Sequence, residues 1–226
     1  GKSNWSIVEL DESDGSFLKV QPTYSIITNI DREHMDYYKS MSKLLDLFGE
    51  YIDRVPSFGK SFICADDKNN LKLIKSIKVK NFHTYGVNRR SNFYINKIDQ
   101  RRDYSSFDLS INLPGKKNFS IKKIKIPLIG LHNIRNATAS IAVSISLGIP
   151  IDKIKSGLKQ FKGVQRRFNK IFDYKGVSFF DDYAHHPTEI KEVLNGVKNA
   201  YPKVKIVCIF QPHRISRLKN LRKEFS

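Results

Sequence analysis

The sequence predicts an α/β protein: a mostly parallel sheet flanked by helices, with an added antiparallel β segment, followed by the start of a Rossmann-like α/β unit. Three observations carry this reading. Short apolar runs alternate with amphipathic helical patterns between Tyr24 and Val87 and again after Ala137, as in parallel strands joined by helical crossovers. Across about residues 92–128 the apolar period drops to two, with Phe107, Leu109 and Ile111, then Ile124 and Ile126, alternating with polar residues, which argues for antiparallel strands. Finally, Asp181–Thr188 reads D-D-Y-A-H-H-P-T directly after the apolar run Val177–Phe180. A strand, a tight turn and a helix starting at Pro187 would present these polar groups at a strand's carboxyl end, where open α/β sheets bind ligands.

The elements follow in order. Trp5–Leu10 and Tyr24–Thr28 are apolar runs, each followed by an acidic, polar turn, and are expected to be strands. Tyr38, Met41, Leu45, Phe48 and Ile52 recur at spacings of three and four, a helix with one apolar face. Ser61–Ala65 is a third expected strand, ended by Asp66-Asp67, and Lys80–Val87 a fourth. Ala137, Ile141 and Ile145, flanked by Ala139 and Ala142, form a small-residue helix ending near Gly148. Ile151, Ile154, Leu158 and Phe161 form another, ending near Gly163. Arg167–Tyr174 and Val177–Phe180 flank the hairpin-like turn Lys175-Gly176. A helix over Pro187–Ala200 and a buried-type strand over Val204–Phe210 follow. Two α/β units are expected to meet near Gly163, giving domains over 1–163 and 164–226.

Composition narrows the function classes. Forty Lys and Arg against 22 Asp and Glu give a formal net charge of +18 over 226 residues, which raises a basic nucleic-acid-binding module as one reading. The basic residues, however, alternate with Ile and Leu in stretches such as Leu71–Lys80 and Lys116–Lys125, as on the solvated faces of half-buried elements. Tight pairs such as Arg89-Arg90 and Arg101-Arg102 lack the aromatic interleaving of a single-strand platform. Cys64 and Cys208 sit in apolar runs and are expected to be reduced core residues. No apolar stretch reaches the roughly 18 residues a membrane span needs, and no basic-then-apolar leader is present, so no membrane partner is expected and the default compartment is the cytosol. The chain opens on Gly1 rather than Met and Leu218–Ser226 reads as part of a helix; it is expected to be a piece of a longer protein.

Further motifs flank the D-D-Y-A-H-H stretch. They are Glu9-Leu10-Asp11-Glu12-Ser13-Asp14-Gly15, Thr28–Asp36, His132-Asn133-Ile134-Arg135-Asn136, Gly163-Val164-Gln165-Arg166-Arg167-Phe168 and Phe210-Gln211-Pro212-His213-Arg214 followed by Ser216-Arg217. In this order, from about Val8 to the last residues, they resemble the Mur ligases that build the peptidoglycan peptide. Within that family the match is best to enzymes that join L-alanine to UDP-N-acetylmuramate. The resemblance implies a Mur ligase central domain and the start of its C-terminal domain. It also implies ATP and Mg²⁺ as cofactors, and phosphorylation of the lactyl carboxylate by ATP followed by displacement of phosphate by the alanine amine. The murein tripeptide-recycling ligases share the G-x-H-N and A-H-H-P stretches and are the nearest alternative; folylpolyglutamate synthases lack the doubled His185-His186.

A phosphate-gripping P-loop, G-x-x-x-x-G-K-[ST], is absent from the sequence. Gly59-Lys60-Ser61 ends like one, but Arg54 replaces the first glycine; Gly1-Lys2-Ser3 resembles its tail, but a strand is expected two residues later. In the family the P-loop precedes the Glu9 region, so the piece alone is expected to be inactive. The resemblance makes Glu9 and His34 magnesium ligands. Residue chemistry supports Glu9, since Mg²⁺ prefers oxygen, whereas it favours His34 as a helix-entry residue beside Asp31 or Asp36. Asn133 and Asn136, with His132, match adenine contacts, although such amides also cap helices. Arg167 and Asp182 match residues that reach ATP phosphate and ribose. Tyr183, His185, Arg214 and Arg217 match positions holding the amino acid and the sugar-lactyl group. His185 is the candidate proton acceptor, and His186 is expected to be structural.

Overall fold

The computed structural model describes residues 3–78 and 81–225, in two compact units that divide between Asn92 and Phe93. In the first, β1 (Tyr24–Ile27), β2 (Lys60–Cys64) and β3 (Phe82–Gly86) form parallel pairs, Ile26 opposite Phe62 and Ile63 opposite Thr84. The short α1 (Met35–Tyr38) and then α2 (Met41–Asp53) connect β1 to β2, and α3 (Lys68–Ser76) connects β2 to β3. Ser40 caps α2 through its hydroxyl, which accepts from Lys43 N–H. The helix buries Leu44, Tyr51 and Ile52 against Ile27, Ile63, Leu73 and Phe17; of the predicted stripe Ile52 and Tyr38 are buried, and Met41, Leu45 and Phe48 are partly covered. Lys39, at φ 65°, interrupts the helix between Tyr38 and Met41.

α3 has no counterpart among the expected elements. Its start is set by Asp67, whose carboxylate accepts from Asn69 and Asn70 N–H at 3.0 and 2.8 Å. The side chains of those asparagines donate to Ile30 O, Thr28 O and Cys64 O, tying the helix to the carboxyl ends of β1 and β2. Gly59-Lys60-Ser61 is not a phosphate loop. It leads into β2, a Cβ at Gly59 would lie 1.9 Å from Thr23 O, and Lys60 Nζ is held by Asn81 Oδ1 at 2.5 Å. Gly1-Lys2 and the first residue of the strand expected over Lys80–Val87 lie outside the described residues.

In the second unit β4 (Phe93–Arg101), β5 (Tyr104–Ile111) and β6 (Phe119–Ile126) form the expected antiparallel meander. Two register shifts interrupt it, and the buried Asp108 lies within one of them, between Phe107 and Leu109. Its carboxylate accepts from Lys123 N–H at 2.8 Å, with the Lys97 and Lys122 ammonium groups 3.7 and 3.6 Å away. The backbone bond, then these charges, hold it below the usual carboxylate range. α4 (Leu131–Ser146) buries Ile134, Ala137, Thr138, Ala139, Ile141 and Ala142, its small residues permitting close packing. α5 (Ile151–Gln160) follows. The hairpin β7 (Asn169–Tyr174) and β8 (Val177–Asp181) turns at Lys175-Gly176, both at positive φ. α6 (Pro187–Ala200) and α7 (Ile215–Asn220) complete the unit.

Three expectations are corrected. Trp5–Leu10 and Val204–Phe210 are not strands: among the described residues no strand pairs with either, and Ile7 and Ile209 are 100% and 94% exposed. An apolar run becomes a strand only where a neighbour satisfies its N–H and C=O groups. Cys208, inside the second run, is therefore exposed rather than core; Cys64 is buried as expected. Among the described residues no helix is long and apolar enough to cross a membrane.

Candidate active site

In the first unit the acidic turns gather on His34. This residue precedes α1 at φ 55°, and its Nε2 lies 3.7 Å from Glu12 Oε1 and 3.7 Å from Glu33 Oε2. The ligand atoms of all three lie within 4.8 Å of one another. Asp11 and Asp14 accept from Ser13 and Ser16 N–H, bonds that shape the turn; the serine hydroxyls, then these N–H groups, hold both carboxyls below their ordinary range. Tyr38 Oη donates to Glu12 O. Burial, then the Glu12 charge, pushes the phenol up to about 12, so it remains a donor at neutral pH. Glu9 is exposed and lies outside the group formed by Glu12, Glu33 and His34. Glu33, beside His34, has no expected role in the sequence motifs yet joins this group. Two carboxylates and an imidazole at this spacing form an oxygen-rich set compatible with a hard divalent cation.

In the second unit the amino end of α4 meets the D-D-Y-A-H-H segment. The His132 ring folds over Gly130, where an added Cβ would sit 2.5 Å from His132 Cε1. Asn133 Nδ2 donates to Ile129 O at 2.7 Å and lies 3.1 Å from His132 Nε2. An amide nitrogen only donates, so Nε2 accepts, and the proton resides on Nδ1, which is buried without a hydrogen-bond partner. Burial is the main cause holding this imidazole below its ordinary value; Glu192 and Asp182 oppose the shift, and Arg135 and Arg167 add to it. Asn136 is exposed. No side chain caps α4; its N-cap is Gly130. Glu192 on α6 lies 3.5 Å from Arg135 on α4.

Asp182 stitches two motifs together. Its carboxylate accepts from Phe168 N–H at 2.8 Å and Ala184 N–H at 2.7 Å, while Tyr183 N–H donates to Arg166 O at 2.7 Å. Arg166 and Phe168 both take positive φ to make this turn. The Arg166 guanidinium lies over the Tyr183 ring and 3.3 Å from Asp181. Arg167 is exposed, with Nη1 3.8 Å from Glu189 Oε1. His185 Nδ1 lies 2.9 Å from Tyr183 O, and its ring meets the Tyr183 ring edge-on. His186 caps α6, accepting from Thr188 N–H, and Glu189 completes the capping box, so His186 is structural as expected. Arg214 and Arg217 differ: Arg214 is exposed at φ 66°, whereas Arg217 is buried and donates to His213 O at 3.2 Å. Neither follows a strand.

These residues belong to segments with known counterparts. Residues 5–144 match the Mur ligase middle domain, and residues 166–226 match the Mur ligase, glutamate ligase domain. The chain is 66% identical over all 226 residues to the UDP-N-acetylmuramate–L-alanine ligase of Pelagibacter ubique, covering 49% of that protein, and 44% identical over 99% of its length to the corresponding ligase of Brachyspira hyodysenteriae, covering 47%. It thus spans about half the length of these curated relatives. Among solved structures, UDP-N-acetylmuramate–alanine ligase from Thermotoga maritima superposes with a TM-score of 0.74 at 30% identity, over 94% of this chain and 46% of that one. The chain therefore belongs to the Mur ligase family.

Proposed function

We propose that this chain is the central and partial C-terminal portion, divided near residue 163, of an ATP- and Mg²⁺-dependent ligase. That enzyme joins L-alanine to the lactyl carboxylate of UDP-N-acetylmuramate, in the cytoplasm, during peptidoglycan precursor synthesis. The observation that carries the reading is the whole-chain likeness to ligases of that name, combined with the convergence of Arg167, Asp182 and His132 within one unit. An amide-forming ligase must turn a carboxylate oxygen into a leaving group. ATP provides this by phosphorylating the lactyl carboxylate, after which the amine attacks the carbonyl and phosphate departs.

Each side chain has a part in this chemistry. Arg167, exposed and planar, suits bidentate contact with phosphate oxygens. Asp182, fixed by two N–H donors, keeps lone pairs for a ribose hydroxyl. Asn133 and Asn136, with His132, offer amide and imidazole groups to the adenine edge. His185 presents a usable base: because a carbonyl oxygen only accepts, its contact with Tyr183 O places the proton on Nδ1 and leaves the Nε2 lone pair to take a proton from the attacking ammonium. Tyr183 and Arg214 supply an aromatic face and an exposed cation for the sugar-lactyl group and the alanine carboxylate. Arg217 supports them from its buried position on His213 O. Mg²⁺ would be held by His34 with Glu9 on the family pattern, and Glu12 and Glu33 are the carboxylates nearest that imidazole. Bound there, it would neutralise charge developing on phosphate oxygens.

A chimera tests this reading directly: the Pelagibacter ubique ligase with this chain replacing its matching half. With ¹⁸O in the lactyl carboxylate, one ¹⁸O must appear in inorganic phosphate for each amide formed. Label in AMP instead, or none in phosphate, contradicts an acyl-phosphate route.

A further inference from the structure

The proposed chemistry assigns nothing to Glu189, yet its carboxylate touches three residues of the candidate site. Oε2 accepts from the backbone N–H of His185 at 3.0 Å and of His186 at 3.3 Å. The same oxygen lies 3.7 Å from His185 Nδ1, and Oε1 lies 3.8 Å from Arg167 Nη1. The bond to His186 N–H is that of a capping box, and a cap needs nothing more; the bond to His185 N–H lies one residue ahead of the cap. The contacts with the His185 ring and the Arg167 guanidinium are additional, and both involve groups that carry or acquire positive charge.

Their effect on His185 follows from the tautomer. Nδ1 donates to Tyr183 O at 2.9 Å, so Nε2 is the free lone pair. A carboxylate next to Nδ1–H favours this tautomer over the alternative. It also holds the ring in this orientation, as the carboxylate partner of a catalytic histidine does. On Arg167 the same carboxylate limits where an otherwise exposed guanidinium can swing.

We propose that Glu189 is a positioning residue, a single carboxylate that fixes the His185 tautomer and orients Arg167 while capping α6. What His185 and Arg167 act on rests on the ligase reading; the geometry does not. Two substitutions separate positioning from capping. Glu189→Gln keeps an oxygen acceptor for the two N–H groups, since capping boxes accept Gln as readily, but removes the charge; Glu189→Ala removes both. In the 226-residue chain labelled with ¹⁵N-histidine, Glu189→Gln is expected to move the two His185 ring nitrogen signals toward each other while α6 amide signals stay in place. In the chimera the same change is expected to lower kcat/KM for L-alanine roughly 10–100-fold, by analogy with the loss when a group orienting a metal-ligating side chain is removed. Unchanged ring signals in Glu189→Gln would make Glu189 a helix cap only and overturn the proposal, as would shifted ring signals with unchanged kcat/KM. An inactive parent chimera would instead count against the ligase reading, and the ring signals would still decide the role of Glu189.

Discussion

Replacing Gly196 by Ala should destabilise the second unit, although the residue lies inside a helix where Ala is ordinarily preferred. A Cβ at 196 would sit 2.8 Å from Gly130 Cα and 3.3 Å from Gly130 N, where ordinary contacts begin at 3.4 Å. Gly130 cannot easily retreat: it is at φ +93°, its N–H donates to Gln100 Oε1 at 2.9 Å, and the His132 ring lies against its other side. Overpacking of this kind costs about 1–3 kcal/mol, while the helix-propensity gain is about 1 kcal/mol. The net loss should therefore reach up to about 2 kcal/mol. Gly157 in α5 provides the control, because nothing lies within 4 Å of its would-be Cβ. Gly157→Ala should stabilise its helix by about 1 kcal/mol. The difference between the two variants isolates the steric cost of the α6–Gly130 approach. Native-state hydrogen exchange at α4 and α6 amides reads it locally. If Gly196→Ala raises protection as much as Gly157→Ala, the close approach is not real, and the seating of α6 on the amino end of α4 falls with it.

Other consequences are open to measurement. In the chimera, Glu9→Gln should raise the Mg²⁺ concentration needed for half-maximal rate and lower kcat with unchanged folding; a wild-type magnesium titration removes Glu9 from the metal set. Arg214→Ala should weaken handling of L-alanine by more than roughly tenfold in kcat/KM, with ATP affinity nearly intact and Arg214→Lys restoring only part; steady-state kinetics with L-alanine varied decides this. Asp108 has a depressed folded-state pKa, so its contribution is present above the ordinary carboxyl value of 3.8 and is lost as pH falls through the lower folded value. Asp108→Asn should thus cost stability at pH 7, and the gap to the parent should close in acid titrations below pH 3.8. His132 is held below 6.5 by burial. The unfolded chain therefore binds more protons below that pH, stability falls with acidification, and His132→Gln should flatten that slope.

Much of this architecture was legible in the sequence because it is written in periods. The spacing of Tyr38, Met41, Leu45, Phe48 and Ile52 marked the buried face of α2 and its approach, and the alternation around Phe107–Ile111 marked the meander. Pro187 marked the start of α6. Periodicity failed where pairing decides. Ile7 and Ile209 look like strand residues, but apolar composition does not say whether a neighbouring strand is present. α3 was hidden because Lys68–Ser76 is mostly Lys and Asn; its signal was the N-cap at Asp67. In the site, Asp182 and His185 were visible because a strand end and a proline-led helix bracket them. Glu189 and Glu192 were not, since they matter only once α6 lies against α4 and the Arg166–Phe168 turn folds back. Glu33 was overlooked beside His34 for a related reason: only the left-handed conformation at His34 and the fold of the acidic loop bring Glu12 and Glu33 to one imidazole.

The central claim is the identity of the joined substrates, and product formation by the chimera tests it most directly. ADP release is predicted to require UDP-N-acetylmuramate and L-alanine together, with L-alanine preferred over a murein tripeptide and over D-alanine. It should yield UDP-N-acetylmuramoyl-L-alanine in equal amount, while the 226-residue chain alone releases none. Turnover with the tripeptide in preference to L-alanine, or amino-acid-independent release of ADP, would contradict the account.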